Sequence, residues 1–241
     1  MSCYGPLAQW YDQLTGDVDY ERFADYYDNI FSAHGGEHSM LLDLCCGTGS
    51  LTAIMTRRGH ELIAVDSSID MLMKAQSKCC GLEPAPLFLN QDAGELDLYG
   101  TVDAAYSSLD GINYLPPDIL PELFHRLRLF IRPGGLFIFD MRSPEFLESL
   151  DGQVFVDEKE DVFCIWRAEK DSEENSVIYG MDLFSRSGRY WTRDSEEHVE
   201  YLHDRDELIG MLRNEGFEIL RCDSDVPVIG EGRFFITAER R

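Results

Sequence analysis

The chain has 241 residues, enough for one large domain or one domain with an insertion, and its 44% hydrophobic content can fill a core. A formal charge of −24 argues against nucleic acid as a partner, because a nucleic-acid binder needs a positive surface to displace condensed counterions. No run approaches the roughly 18 apolar residues that span a bilayer, and the start, Met-Ser-Cys-Tyr-Gly-Pro, lacks the basic and apolar regions of a secretory signal. The seven cysteines include the adjacent pairs Cys45-Cys46 and Cys79-Cys80 and no Cys-x-x-Cys, so reduced thiols without a metal are expected. The expected address is the cytoplasm, with no membrane partner.

Tyr20, Phe23, Tyr27, Ile30 and Phe31 recur at helical spacing and predict an amphipathic helix over 19–33. Residues 39–46 then read as a buried strand, and 50–58 as a helix that ends on Arg57 and Arg58 with Gly59 as its stop. A second strand follows over 61–66, and Ser67-x-x-Asp70 resembles a capping box for a helix through Lys78. Strands are expected over 86–92 and 102–109. Asp118 is expected to cap a helix whose apolar face is Leu120, Leu123, Phe124, Leu127 and Ile131. Pro133-Gly134-Gly135 turns the chain into a fifth strand over 135–142.

Strands that alternate with helices build βαβ units, hence a parallel sheet covered on both faces. The alternation stops after Pro144. From about 151 to 203 there are only β-like stretches (162–169, 176–184, 198–203) separated by acidic turns, and Phe163, Trp166, Tyr179 and Tyr190 argue against disorder there. Asp204-x-x-Glu207 then opens a last helix, and two apolar runs joined by a short turn close the chain as a hairpin, so the last strand is expected to be antiparallel. The expected fold is α/β: a Rossmann-like, doubly wound, seven-stranded and mostly parallel sheet with an antiparallel last strand, plus an antiparallel β insertion. The expected division is a main domain of residues 1–144 and 204–241, with 1–36 as a helical cap and 145–203 as the insertion, serving as a lid or a homodimer surface.

Asp43-Leu-Cys-Cys-Gly47-Thr48-Gly49 sits directly after a strand and opens a helix. Gly47 and Gly49 let the backbone turn tightly and let a ligand lie against bare main chain. Alone, this turn also fits a structural role. Asp66 ends the second strand, where a carboxylate reaches ribose hydroxyls, and Asp92 ends the third, where one can accept from an adenine amino group. Taken singly, either aspartate could instead be a cap. Three strand ends on one carboxyl edge are where open α/β sheets bind ligands.

These motifs resemble those of class I S-adenosylmethionine (SAM)-dependent methyltransferases: LLDLCCGTGSLT, AVDSSIDML, NQDA and IRPGGLFIFD. The resemblance is strongest to small-molecule enzymes with a β insertion after strand five, including the amino-sugar N-methyltransferases, through Tyr11-Asp12, SSLDGINYL and EEHVEYLHDRDELIGMLRNEGF. It implies SAM as cofactor and S-adenosylhomocysteine as product. It further implies that Asp43 organises the glycine loop, that Gly47 and Gly49 face the methionine part of SAM, and that Asp66 holds the ribose. Met71 would pack near adenine, Asp92 and Ala93 would flank it, Ser108 would line the cofactor and Tyr11 would close over it. Thr48 and Ser67 complete this set. Cys45 stands where the family has its first glycine; a small side chain fits there, and without a basic neighbour it makes a poor nucleophile.

The implied reaction is an SN2 methyl transfer to a nitrogen or oxygen atom of a small-molecule acceptor, with a protein acceptor as a further option. The acidic field of the chain would favour a sulfonium ligand. An amine acceptor also needs deprotonation, for which the candidates are Asp110, Tyr114 and His198. Two alternatives remain at this point: an NAD-dependent oxidoreductase, against which Thr52 stands at the third glycine position, and a SAM-binding scaffold without turnover.

Overall fold

The computed structural model describes residues 4–35, 38–224 and 232–241; Cys3 lies outside them. Their helices are α1 (Tyr11–Leu14), α2 (Tyr20–His34), α3 (Ser50–Arg57), α4 (Ile69–Lys78), α5 (Leu120–Phe130), α6 (Pro144–Ser149) and α7 (Arg205–Asn214). The strands are β1 (Met40–Leu44), β2 (Glu61–Asp66), β3 (Leu87–Asn90), β4 (Val102–Ser107), β5 (Ile131–Arg142), β6 (Val154–Glu158), β7 (Val162–Asp171), β8 (Ser176–Ser187), β9 (Tyr190–Tyr201), β10 (Phe217–Asp223) and β11 (Arg233–Arg240). No helix among the described residues is long and apolar enough to cross a membrane.

Seven strands form one sheet in the order β10-β11-β5-β4-β1-β2-β3. Strands β1 to β5 pair in parallel, and β11 runs antiparallel to both β5 and β10. Alternation along each strand sends neighbouring side chains to opposite faces. Leu42, Ala105, Phe137 and Phe139 thus meet Leu123, Phe124 and Leu127 of α5 and Leu208 and Leu212 of α7. Leu41, Ala104, Tyr106 and Ile138 meet Phe23, Tyr27 and Phe31 of α2 and Leu51 and Met55 of α3. This is the doubly wound architecture that the sequence predicts.

The remaining strands form a separate antiparallel sheet, β6-β7-β8-β9. One of its faces packs Val162, Cys164, Met181 and Leu183 on Leu7 and Leu14 of the N-terminal segment. The same side packs Ala168, Val177 and Tyr179 on Leu147 and Leu150 around α6. Glu196 pins the N-terminal segment to this sheet, accepting from the Leu7 amide at 2.8 Å and the Tyr4 amide at 3.2 Å.

Several local expectations need correction. Asp118 does not cap α5. That helix starts at Leu120 after Ile119, with no side-chain cap and with Pro121 in its first turn, where a preset φ and a missing N–H suit a helix start. Ser68, rather than Ser67, caps α4 by accepting from the Met71 amide. The first strand stops at Leu44 because Cys45 turns into the left-handed region at φ 59°. Helix α6, capped by Ser143, and strand β6 were not expected. Asp204 caps α7 as expected, accepting from the Asp206 and Glu207 amides.

Gly49 begins α3 at φ 71°, and a Cβ built there would lie 2.7 Å from Ala75 Cβ of α4. The glycine is what lets α3 and α4 approach each other. Gly49→Ala combines left-handed strain with overpacking and is expected to cost about 2–4 kcal/mol of stability. Urea denaturation measures it, and an unchanged midpoint would sink this account of the packing.

Candidate active site

The parallel strands end in register, with Asp43 opposite both Ala64 and Tyr106, and Asp66 opposite Asn90. Their carboxyl edge opens into a cavity of about 960 Å³, at the upper end of the range for small-molecule sites. Its walls carry Asp43, Cys45, Gly47 and Thr48 from the loop after β1, Asp66, Ser67 and Met71 after β2, Asp92 and Ala93 after β3, and Ser108 after β4. Tyr11 from the N-terminal segment joins them. Eleven of the twelve expected cofactor-side residues therefore share one cavity. Gly49 is the exception: it does not line the cavity, and its role is the contact with Ala75.

Asp66 holds this edge together. Its Oδ2 accepts from the Gly47 amide and its Oδ1 from the Ser68 amide, each at 2.8 Å. Each oxygen keeps lone-pair capacity for a further donor. Burial pushes the Asp66 carboxyl up, against the pull of those two amides. Asp92 takes the Gly94 amide on Oδ1 at 2.8 Å while its side chain remains on the cavity wall. Gly47 sits at φ 54°, and a Cβ there would meet nothing within 4 Å, so its bare backbone faces open space along the wall. Carboxylates at two strand ends beside a stripped main-chain loop suit ribose hydroxyls and an adenine amino group.

Asp43 lies deeper. It accepts from Thr52 Oγ1 at 2.6 Å, and burial pushes its carboxyl up to about 7. Burial and the neighbouring aspartates push the thiols of Cys45 and Cys46 up as well. They stay protonated near neutrality, which removes a cysteine nucleophile.

The three acid–base candidates separate. Tyr114 lines the cavity, and burial raises its phenol well above the usual range, so it is a neutral hydroxyl. Asp110 does not line the cavity. Its Oδ2 faces Arg142 Nε at 2.8 Å and its Oδ1 faces Arg233 Nη1 at 2.9 Å, so both oxygens serve cations. His198 is 1% exposed and stands behind Tyr4, with the two ring centres 4.5 Å apart and Nε2 3.1 Å from Glu196 Oε2. The reason is strand parity: His198 and Glu200 share the inward face of β9, while Val199 and Tyr201 reach the cavity.

The sequence reading missed a buried charge cluster beside this end. Arg233 Nη1 also contacts Asp140 Oδ2 at 2.7 Å, and Asp140 accepts the amides of Leu109 and Asp110. Those two residues are both at φ 57°, a strained conformation for side chains of their size. Glu200, 2% exposed, lies near Arg142 at 3.8 Å. The available signal for Glu200 was its place two positions after His198, which puts both side chains on one face of β9. Tyr4 and Tyr20 also line the cavity, and Lys78 ties Asp12 to Thr48 and Ser50 at its rim.

A family profile described as a methyltransferase domain matches residues 41–135. Over 98% of this chain and 97% of the relative, the sequence is 31% identical to YqeM of Bacillus subtilis (strain 168), a protein named as a methyltransferase. A SAM-dependent methyltransferase from Clostridium acetobutylicum ATCC 824 superposes with a TM-score of 0.86 at 27% identity, covering 99% of each chain. SAM-bound CalS10, an amino pentose methyltransferase from Micromonospora echinaspora, shares the fold with a TM-score of 0.78 at 20% identity, covering 100% of this chain and 99% of its own. The chain belongs to the SAM-dependent methyltransferases.

The raised Asp43 carboxyl makes a pH prediction with a definite sign. Between the unfolded value near 3.8 and the folded value near 7, the folded state holds the extra proton. That contribution to stability is fully present below the lower value and is lost as pH rises through the upper one. Asp43→Asn should therefore gain stability relative to the wild type between pH 5 and 8, by on the order of 2 kcal/mol. Denaturation curves at the two pH values measure it, and a constant difference would refute the burial argument.

Proposed function

We propose that the chain transfers a methyl group from SAM to a nitrogen or oxygen nucleophile of a small-molecule acceptor. When bound, SAM supplies an electrophilic methyl on a sulfonium whose leaving group is a neutral thioether. In this reading Asp66 takes the ribose hydroxyls, Asp92 and Ala93 flank the adenine with Met71 beside it, and the Gly47 backbone runs along the methionine part. Asp43 and Thr52 hold the loop from behind, and Tyr11 closes the cofactor side. Orientation of the reactants and exclusion of water are then the protein's main tasks, and orientation of this kind can supply about 7–11 kcal/mol of a barrier.

The observation that carries the small-molecule reading is the part of the cavity wall formed by Tyr4, Leu109, Tyr114, Val199 and Tyr201, apolar or aromatic side chains from the N-terminal segment, from the turn after β4 and from β9. Among the described residues lining the cavity, Arg126 is the one cation, and its guanidinium is held by Leu96 O and Glu122. Such a wall suits a neutral or cationic acceptor better than a phosphate backbone, as does the net charge of −24. The amino pentose methyltransferase with the same fold supports an acceptor of sugar size. Membership of the methyltransferases removes the ground for the oxidoreductase alternative.

The segment 145–203 acts in this reading as a subdomain whose β9 supplies part of the acceptor wall, that is, as a lid. Its outer face exposes Val154, Val156 and Trp191, which suits a homodimer as a second role. The six described cysteines are all unpaired, in keeping with a reducing cytoplasm.

Calorimetric titration with SAM, S-adenosylhomocysteine and NAD tests the proposal, with micromolar binding expected for the first two alone. Tighter binding of NAD would overturn it. Asp66→Ala is expected to weaken SAM about 100-fold, from the loss of charge-assisted bonds, and to lower stability by about 1–3 kcal/mol through the two stranded amides. His198→Ala is expected to leave SAM affinity unchanged, since the ring stands behind Tyr4; a large loss would place it in the cofactor site.

A further inference from the structure

Beside the acceptor end lie three carboxylates, those of Asp110, Asp140 and Glu200, and two guanidiniums, those of Arg142 and Arg233. Asp110 contacts both arginines and Asp140 contacts Arg233, at 2.7–2.9 Å. Glu200 is the surplus charge. Its nearest cation is Arg142 at 3.8 Å, and its Oε2 is buried without a settled hydrogen bond among the described residues. The turn that carries Tyr114 is tied to β9 beside Glu200, where Asn113 Nδ2 donates to Tyr201 O at 3.1 Å, so the Tyr114 hydroxyl faces this carboxylate while its side chain forms part of the cavity wall. Tyr4, with its ring centre 5.9 Å from that of Tyr114, covers the same hydroxyl from the N-terminal side.

We propose that Glu200 is the proton store of the acceptor site, reached from the cavity through the Tyr114 hydroxyl. The proposal rests on the methyl-transfer reading above and adds to it the fate of the acceptor's proton. The proton leaves the acceptor N–H or O–H for the Tyr114 oxygen as the phenol proton passes to Glu200. The acceptor's bonding pair stays on its nitrogen or oxygen as the lone pair that attacks, and Glu200 goes from carboxylate to carboxylic acid. Returning the proton along the same path after turnover restores both groups. Tyr114 never becomes a free phenolate, which its burial forbids. Tyr114 is the residue placed to touch the acceptor; Glu200 acts through it.

The environment suits such a store. Burial and the Asp110 charge push the Glu200 carboxyl up to about 7, against the pull of Arg142, Arg233 and the Tyr114 hydroxyl. Tyr179 of β8 and His198 of β9 complete the titratable groups on that side. A carboxyl poised near neutrality can both take and release a proton at working pH.

Two measurements on the whole protein test this. Infrared difference spectra of the SAM-free protein should show, beside the Asp43 carboxyl, a second one titrating near pH 7 that disappears in Glu200→Gln and moves to higher pH in Tyr114→Phe. No such band, or one indifferent to Tyr114→Phe, overturns the proposal. Methylation of ethanolamine and D-glucosamine gives the second readout. An acid limb near pH 7 in kcat is expected, with a fall of at least tenfold and loss of the limb in Glu200→Gln, and partial recovery in Glu200→Asp. An unchanged limb in Glu200→Gln overturns the proposal. SAM affinity, read by calorimetry in the same variants, should not change. Failure of SAM to bind the wild type would instead count against the methyl-transfer reading, leaving the spectroscopic result to decide on Glu200.

Discussion

One carboxylate joins the two halves of the ligand edge. Asp66 accepts the Gly47 amide on one oxygen and the Ser68 amide on the other, so the loop leaving β1 and the turn leaving β2 are held by the same side chain. Ser68 in turn caps α4, and α4 lies close enough to α3 that only a glycine fits at position 49. The loop, the two helices and the acid therefore stand or fall together. A site built this way is organised before any ligand arrives, which is when preorganised dipoles contribute most.

The opposite end of the cavity is held by charge. Leu109 and Asp110 adopt backbone conformations that side chains of their size avoid, and Asp140 holds both through their amides. Arg142 and Arg233 neutralise Asp110 and Asp140 but leave Glu200 in excess. Buried ion pairs of this kind give little net stability, because desolvation offsets most of the attraction. Their value here is positional. They fix the end of β4, the start of β11 and the end of β5 beside the cavity.

The N-terminal segment closes the space between these ends. Glu196 of the second sheet holds its first described residues, and Lys78 and Thr48 hold Asp12 further along. Its apolar side chains Leu7 and Leu14 bury against the same sheet. The second sheet thus gives the N-terminal segment a surface to lie on, which links the two parts of the chain whose sequences carry the weakest motifs.

Much of the main sheet was legible because its signals are local. Apolar runs alternating with helical periods mark βαβ units, and acids at successive strand ends fall on one edge by the geometry of parallel strands. That regularity alone leads to Asp66 and Asp92 on the cavity wall, and the family resemblance added others that share it, Tyr11, Met71 and Ser108 among them. The acid–base candidates did not follow. Asp110 meets Arg233 across 123 positions of chain, and nothing near either residue announces the pair. His198 and Glu200 lie on the same strand face, but a period of two leaves open which parity looks into the cavity until the sheet is docked. The Asp118 cap failed for a different reason, since Pro121 sets the start of α5 without a side-chain acceptor.

The sequence by itself determined the doubly wound sheet, its reversed last strand and the row of acids along its carboxyl edge, because each is encoded in short-range periodicity and turn chemistry. Only the tertiary structure decided which titratable groups reach the cavity, because strand parity and ion pairing between distant segments exist only once the second sheet, the N-terminal segment and the main sheet are packed together.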